Sequence, residues 1–222
     1  MRRFLALCLA GLGAAPTVEA GAWPQERGSW FASAAVHLTW PQDVTTWTGL
    51  QPTGRYDALY LEYGVTDRLT AGLDLGRSVS GAGKMVGFVR WPLTREGARI
   101  RIATELGLGR IEGAAVVRPG LSVGMGWDRG WVAADALVEQ PLGGGTGADV
   151  KVDVTFGLTG ARGRKTLLQV QMGQESGDPA FLRLAPSLVW PLTDHLSVEI
   201  GGAYGLVGDA SMGIKLGLWA DF

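Results

Sequence analysis

From residue 30 onward, hydrophobic and polar side chains change places at nearly every step. Trp30, Ala32, Ala34, Val36, Leu38 and Trp40 fall on one face, and Phe31, Ser33, Ala35, His37 and Thr39 on the other. Successive side chains of a β-strand point to opposite sides, so this period of two predicts a strand. The same alternation runs through 58–65, 69–76, 99–108, 117–125, 150–158, 196–201 and 211–222, and more weakly through 84–93, 131–140, 166–173 and 181–190. About twelve strands result, each near the ~9–11 residues that a tilted strand needs to cross a bilayer. Small shifts of segmentation would give ten or fourteen. No helical periodicity competes with this pattern after residue 20.

The medium that meets the apolar face decides the class. A soluble sandwich also alternates, but its outer face usually carries Lys, Glu and Thr. Here the polar face is small and mixed, rich in Gly, Ser and Ala, while the apolar face continues for several positions per strand. In a transmembrane barrel the apolar face meets lipid and the polar face lines the lumen. Lipid offers no hydrogen bond to a free sheet edge, so such a sheet must close. The expected fold is all-β: a closed antiparallel barrel of about twelve strands in an up-and-down meander. An even strand number puts both chain ends on one side, as in bacterial barrels.

The connectors fit this reading. Short turns at 66–68, 94–98, 128–130, 160–165 and 193–195 alternate with loops at 41–55, 79–83, 112–115, 141–149, 174–180 and 207–210. With a periplasmic N-terminus, the first set is periplasmic and the second external. Trp30, Tyr63, Trp91, Trp127, Trp131, Trp190, Trp219 and Phe222 then lie near the periplasmic end, and Trp40, Tyr56, Phe181 and Tyr204 near the outer end. Aromatic rings with a polar handle favour the lipid–water boundary, so these positions are expected to form a girdle. Trp91-Pro92-Leu93-Thr94 recurs as Trp190-Pro191-Leu192-Thr193, a hairpin repeat with Pro where ladder pairing ends.

The start of the chain reads as an address. Arg2 and Arg3 precede an apolar run from Phe4 to Ala15, and Val18-Glu19-Ala20 and Ala20-Gly21-Ala22 are small-residue cleavage motifs. Residues 1–20 are therefore expected to be a signal peptide, removed after Ala20 or Ala22, and 21–222 the barrel. The run is too short to span a bilayer as a helix. Cys8 as a lipoprotein acceptor is the weaker alternative, because too little apolar sequence precedes it. It is the only cysteine among 222 residues, which excludes an internal disulfide or a Cys-rich zinc site. A formal net charge of −1 gives no basic footprint for nucleic acid. Charged residues make up 18% of the chain, below the roughly 25% of an ordinary soluble domain.

The turn Tyr63-Gly64-Val65-Thr66-Asp67-Arg68-Leu69 resembles the YG-(L/I/V)-TDRL turns of proteobacterial outer-membrane barrels, as do the Gly21-Ala22-Trp23 start and the terminal Phe222. The chain is similar, in pattern over most of its length, to the family of MetA-pathway phenol-degradation transporters. That resemblance implies an outer-membrane location and uptake of a small molecule, and carries over no binding or catalytic residue. Phe222, with Trp219 three positions before it, resembles the signal read by the barrel-insertion machinery. Outer-membrane lipid and lipopolysaccharide are the other expected partners, with the solute unidentified.

The alternation also assigns the lumen. Its expected charged residues are Glu62, Asp74, Arg90, Arg99, Arg101, Glu105, Arg118, Asp135, Lys151, Asp153, Arg183, Glu199 and Lys215, together with Lys84, Glu139 and Asp221. Both signs are balanced. Arg90, Arg99 and Arg101 would form an anion-attracting ladder, or pair with Glu62 and Glu105. Inward glycines at 72, 76, 107, 120, 124, 157, 201, 205, 213 and 217 indicate either open space or merely strand curvature.

Enzyme motifs are lacking. His37 and His195 fall at opposite ends, and Ser33 lies roughly 13 Å along the strand from His37 at 3.3 Å per residue. The chain has no G-x-S-x-G, no H-E-x-x-H and no phosphate loop, since the glycines at 143–147 lack the following Lys-Ser/Thr. No cofactor or metal is expected. Three functions remain: a passive channel or uptake porin, a plugged structural or surface-interaction barrel, and, least supported, a membrane-embedded lipid hydrolase.

Overall fold

The computed structural model describes residues 21–143 and 147–222. The expected signal peptide, with Cys8, lies outside the described residues, as does the centre of the glycine-rich loop at 144–146. Strands follow wherever the alternation is clean: β1 Trp30–Pro41, β2 Gly54–Thr66, β3 Leu69–Ser78, β4 Gly83–Pro92, β5 Arg101–Ile111, β6 Ala114–Trp127, β7 Gly130–Pro141, β8 Asp149–Thr159, β9 Lys165–Gln174, β10 Phe181–Pro191, β11 Leu196–Val207 and β12 Ser211–Asp221. Each pairs antiparallel with its neighbours in sequence, and β1 closes on β12, with Phe31 opposite Asp221 and Pro41 opposite Ser211. This is the expected closed twelve-stranded meander.

The start of β1 and the end of β12 meet at one rim. Trp30 N donates to Phe222 O at 2.8 Å, and Phe222 N returns a bond to Trp30 O at 2.9 Å. Apart from the eight-residue connection 93–100 the turns at this rim are short, whereas the opposite rim carries the longest connection, 42–53, with a 3-10 turn at Val44–Thr46. Two prolines stand inside strands. At each the ladder on one side is interrupted: between Val117 and Gly120 toward β7 beside Pro119, and between Leu184 and Ser187 toward β11 beside Pro186. Proline cannot donate a ladder bond, so it survives only where one is missing.

The barrel is inverted relative to a soluble fold. Leu106, Leu108, Leu121, Ile200, Leu216 and Leu218 are exposed on the outer surface, Leu108 by 61%. Glu62, Arg90, Glu105, Arg118, Glu139 and Glu199 are buried inside. Such a surface is stable only against hydrocarbon, because contiguous apolar area of this extent is costly in water. The soluble-sandwich alternative is thereby excluded, since no second sheet covers the Leu and Val rows.

Residues 21–29 carry no alternation, and they enter the barrel from the rim where the termini meet. Arg27 bridges Gly64 in parallel, Gly28 N donates to Gly64 O at 2.8 Å, and Gly64 N donates to Ser29 O at 3.0 Å. Gln25 N donates to Thr70 Oγ1 at 3.0 Å, and Ala22 is only 1% exposed. Glycine is required at 64, because a Cβ there would stand 1.9 Å from Glu26 O.

Two parts of the girdle assignment need correction. Trp131 is 3% exposed and packs inward with Ala133, Leu167 and Val189, and Trp219 packs against this cluster. Both have the parity of the lumen face, so nearness to a rim did not decide their direction. Tyr56 and Phe181 also face the lumen, by the same parity. Trp30, Trp91 and Trp127 are exposed, and Trp30 stacks on Tyr63 at 4.5 Å. Trp190 has the outward parity, while Phe222 is 70% exposed and stacks on His195 at 5.8 Å. Trp40 stacks on Trp47 of the long loop, and Tyr204 is exposed near the outer rim.

Candidate functional site

Inward positions at every second residue bring charges from non-neighbouring strands into one lumen. On the β2–β6 wall they form an alternating chain. Arg90 of β4 pairs with Glu62 of β2 and, at 2.8 Å, with Glu105 of β5. Arg118 of β6 reaches the other oxygen of Glu105 at 3.0 Å and Asp74 of β3 at 2.5 Å. Lys84 closes the chain on Asp74 at 2.7 Å. Tyr60 donates to Glu62 at 2.5 Å and accepts from Arg90 at 3.0 Å. The Phe88 ring lies beneath both guanidiniums, 5.1 Å from Arg90 and 5.8 Å from Arg118. Each ring face offers its negative quadrupole to a cation. This partly offsets burial of Arg90 Nε and Arg118 Nε, which have no hydrogen-bond partner among the described residues.

The opposite wall uses separate pairs. Lys151 of β8 meets Glu139 of β7 at 2.7 Å, and Lys215 of β12 meets Glu199 of β11 at 2.8 Å. Trp219 Nε1 donates to the second oxygen of Glu199 at 2.9 Å, which explains why this tryptophan turns inward. Arg183 of β10 pairs at 2.6 Å with Asp209, in the loop before β12. Partial burial pushes the Asp209 carboxyl up, but hydrogen bonds from Ser211 and Arg183 outweigh it and hold it below the usual carboxylate range. In the long loop at 42–53, hydrogen bonds from the Thr45 side chain and backbone hold Asp43 low in the same way.

Between these walls lies a cavity of about 720 Å³. It runs from Thr39, Tyr56 and Phe181 toward the outer end down to Gly21, Trp131 and Trp219. Among the expected lumen residues, Glu62, Asp74, Arg90, Glu105, Arg118, Asp135, Lys151, Asp153, Arg183, Glu199 and Lys215 line it. Arg99 and Arg101 do not. β5 begins only at Arg101, so Arg99 is exposed in the preceding turn, and the Arg101 guanidinium bonds to Arg95 O at 3.3 Å in that turn. No arginine ladder forms, because Arg90 is spent on Glu62 and Glu105. Asp221 sits at the rim, where its carbonyl oxygen contacts the His195 ring at 2.9 Å.

Inward glycines turn out to house aromatic rings rather than leave a wide pore. Atoms of Phe88, Tyr56, Trp23 and Trp131 occupy the space that side chains at Gly72, Gly76, Gly124 and Gly157 would take. Phe88 shares its parity with Lys84 and Arg90, so its inward direction was readable. The insertion of residues 21–29, which adds a bond from Gln25 Nε2 to Glu62 at 2.8 Å, had no periodic signal to announce it. His37 faces Tyr56 inside the lumen at 6.2 Å, and His195 lies at the terminal rim, so the two remain at opposite ends. Among the described residues no group of three or more His, Cys, Asp or Glu side chains converges as a metal site.

No protein-family model matches the chain, and no curated protein matches its sequence. Solved structures do match its fold. The KdgM porin superposes with a TM-score of 0.66 at 8% identity, covering 86% of this chain and 99% of that one. An outer-membrane channel from Pseudomonas putida F1 gives 0.58 at 8% identity, covering 92% and 99%. Outer membrane phospholipase A from Escherichia coli gives 0.52 at 9% identity, covering 89% and 93%. At such identities the likeness is one of fold, namely that of outer-membrane barrels.

Proposed function

We propose that this chain is an outer-membrane channel that passes small solutes through its lumen. The observation that carries the reading is a cavity of about 720 Å³, lined by charged residues from many strands among apolar ones, inside an apolar outer wall. Fold likeness to a porin and an outer-membrane channel supports it, and so does the resemblance to MetA-pathway phenol-degradation transporters. On this reading residues 1–20 direct export, and Phe222 engages the barrel-insertion machinery before the outer wall meets lipid and lipopolysaccharide.

Selectivity follows from the charge pairing. The KdgM porin is known in complex with disordered oligogalacturonate, a polyanion. In this lumen Lys84, Arg90, Arg118, Lys151, Arg183 and Lys215 are all held by carboxylates. Asp153, across the strand pair from Asp135, carries no ion pair among the described residues. The lumen therefore favours small neutral or cationic solutes over polyanions. Protein extracted from outer membranes and placed in planar bilayers is expected to give discrete, small, weakly cation-selective conductance steps. Steps that never appear, or a reversal potential of the anion-selective sign, would overturn the reading.

A second reading, a plugged structural barrel, draws support from residues 21–29 within the lumen and from the alternating ion chain. Silence in bilayers combined with a normal outer-membrane level of the protein would favour it. Outer membrane phospholipase A shares the fold, but among the described residues no hydrogen bond joins His37 to a hydroxyl or a carboxylate, and its side chain faces the lumen rather than lipid. Non-enzymatic transport is the function we infer.

A further inference from the structure

Two facing carboxylates inside the barrel, Asp135 and Asp153, lack the cation that their neighbours have. Glu62, Asp74 and Glu105 are each held by Arg90, Arg118 or Lys84. Asp135 of β7 makes no ion pair among the described residues, and its Oδ1 is buried without a hydrogen-bond partner. Its partner across the strand pair is Asp153, a second carboxylate, which adds repulsion rather than relief. A buried, unpaired charge of this kind is costly.

Gly21 lies against this carboxylate. A Cβ at Gly21 would stand 2.7 Å from Asp135 Oδ1, 2.7 Å from Ser122 Oγ and 3.2 Å from Arg90 Cζ. Covalent geometry therefore keeps the Gly21 nitrogen within about 5 Å of Oδ1. The cradle admits no side chain at this position; it presents two oxygens to the Gly21 backbone, beside an Arg90 guanidinium whose charge is already matched by Glu62 and Glu105. An α-ammonium offers three N–H donors and a positive charge.

We propose that processing ends at the Ala20–Gly21 bond, and that the α-ammonium released there pairs with Asp135 and fastens residues 21–25 to the lumen wall, narrowing the channel. Hydrolysis adds the hydroxyl of water to the Ala20 carbonyl carbon and its hydrogen to the Gly21 nitrogen, which then takes up a proton. The new charge supplies the missing cation of the network. Cleavage after Ala22 would remove both the amine and the buried Ala22, and would leave Asp135 unmatched. The inference rests on the export reading given above and goes beyond it, because it assigns one mature end and one electrostatic partner for it.

The test uses the full chain extracted from outer membranes in mild detergent. Tryptic cleavage after Arg27 yields the peptide 21–27, which contains no lysine, so its only amine is the α-amine. Mass spectrometry is expected to find this peptide beginning at Gly21. In the folded barrel its amine is expected to acetylate at least about tenfold more slowly than in urea, as for any group exposed only by local opening. Asp135→Asn should remove that protection. A start at Trp23, a retained leader, equal labelling of folded and unfolded wild type, or an Asp135→Asn barrel as protected as wild type would each overturn the proposal. Should Asp135→Asn fail to fold, the comparison of folded with unfolded wild type decides alone. Absence of the chain from the outer membrane would instead remove the export reading itself.

Discussion

Arg118 is 2% exposed and stands between Glu105 and Asp74. Removing one member of such a buried set strands the others in a medium that cannot solvate them. Arg118→Ala is therefore expected to cost about 3–5 kcal/mol, measurable as a lower urea midpoint for refolded barrels in lipid vesicles. Residues at the outer rim behave differently. The carboxyl of Asp209 titrates below its ordinary range in the folded protein. Its pairing with Arg183 therefore contributes stability that is fully present above the unfolded pKa and is lost as pH falls from about 4 through the folded value. The stability difference between wild type and Asp209→Asn should shrink toward zero across that acid window. Urea midpoints taken between neutral pH and pH 3 would check it.

At the scale of elements, most of what each strand does was legible, and the exceptions have local causes. The parity of β2, β3 and β6 alone assigns Glu62, Asp74 and Arg118 to the lumen, where they lie. Trp131 and Trp219, expected in the girdle from their proximity to the rim, follow the parity of their strands inward instead. There Leu167, Val189 and the Glu199 carboxylate supply better partners than an interface would. Arg99 was expected in the lumen, but β5 begins only at Arg101, so Arg99 lies in the turn, where the alternation of faces no longer fixes a side chain's direction. The segment 21–29 is an element without periodicity, and its position rests on close backbone approach at Gly64. Gly64→Ala would set a methyl group 1.9 Å from the Glu26 carbonyl oxygen. It is expected to expel this segment and raise single-channel conductance several-fold, while the folded form keeps its heat-modifiable mobility on gels. An unchanged conductance in a folded Gly64→Ala barrel would mean that the segment does not limit flow.

For the molecule as a whole, the outer wall and the lumen answer to different solvents. Leu121 lies mid-strand on the exposed outer face. Leu121→Arg should cost about 2–4 kcal/mol in a bilayer, read as a reduced folding free energy in vesicles. The same charge is already accommodated at the inward Arg118 three residues before. Closure of β1 on β12 removes every sheet edge, which lipid demands. It also fixes the lumen's diameter and so decides which strands face one another across it. The period-two alternation by itself determined the strands, the approximate strand number and the apolar face that must meet hydrocarbon, because each is a local consequence of side chains pointing to opposite sides of a pleated chain. Only the tertiary structure decided that Arg90 serves Glu62 and Glu105, that rings occupy the space above inward glycines, and that residues 21–29 enter the lumen beside Asp135. Those outcomes depend on how far apart non-neighbouring strands stand once the sheet has closed, a distance that no stretch of the chain encodes alone.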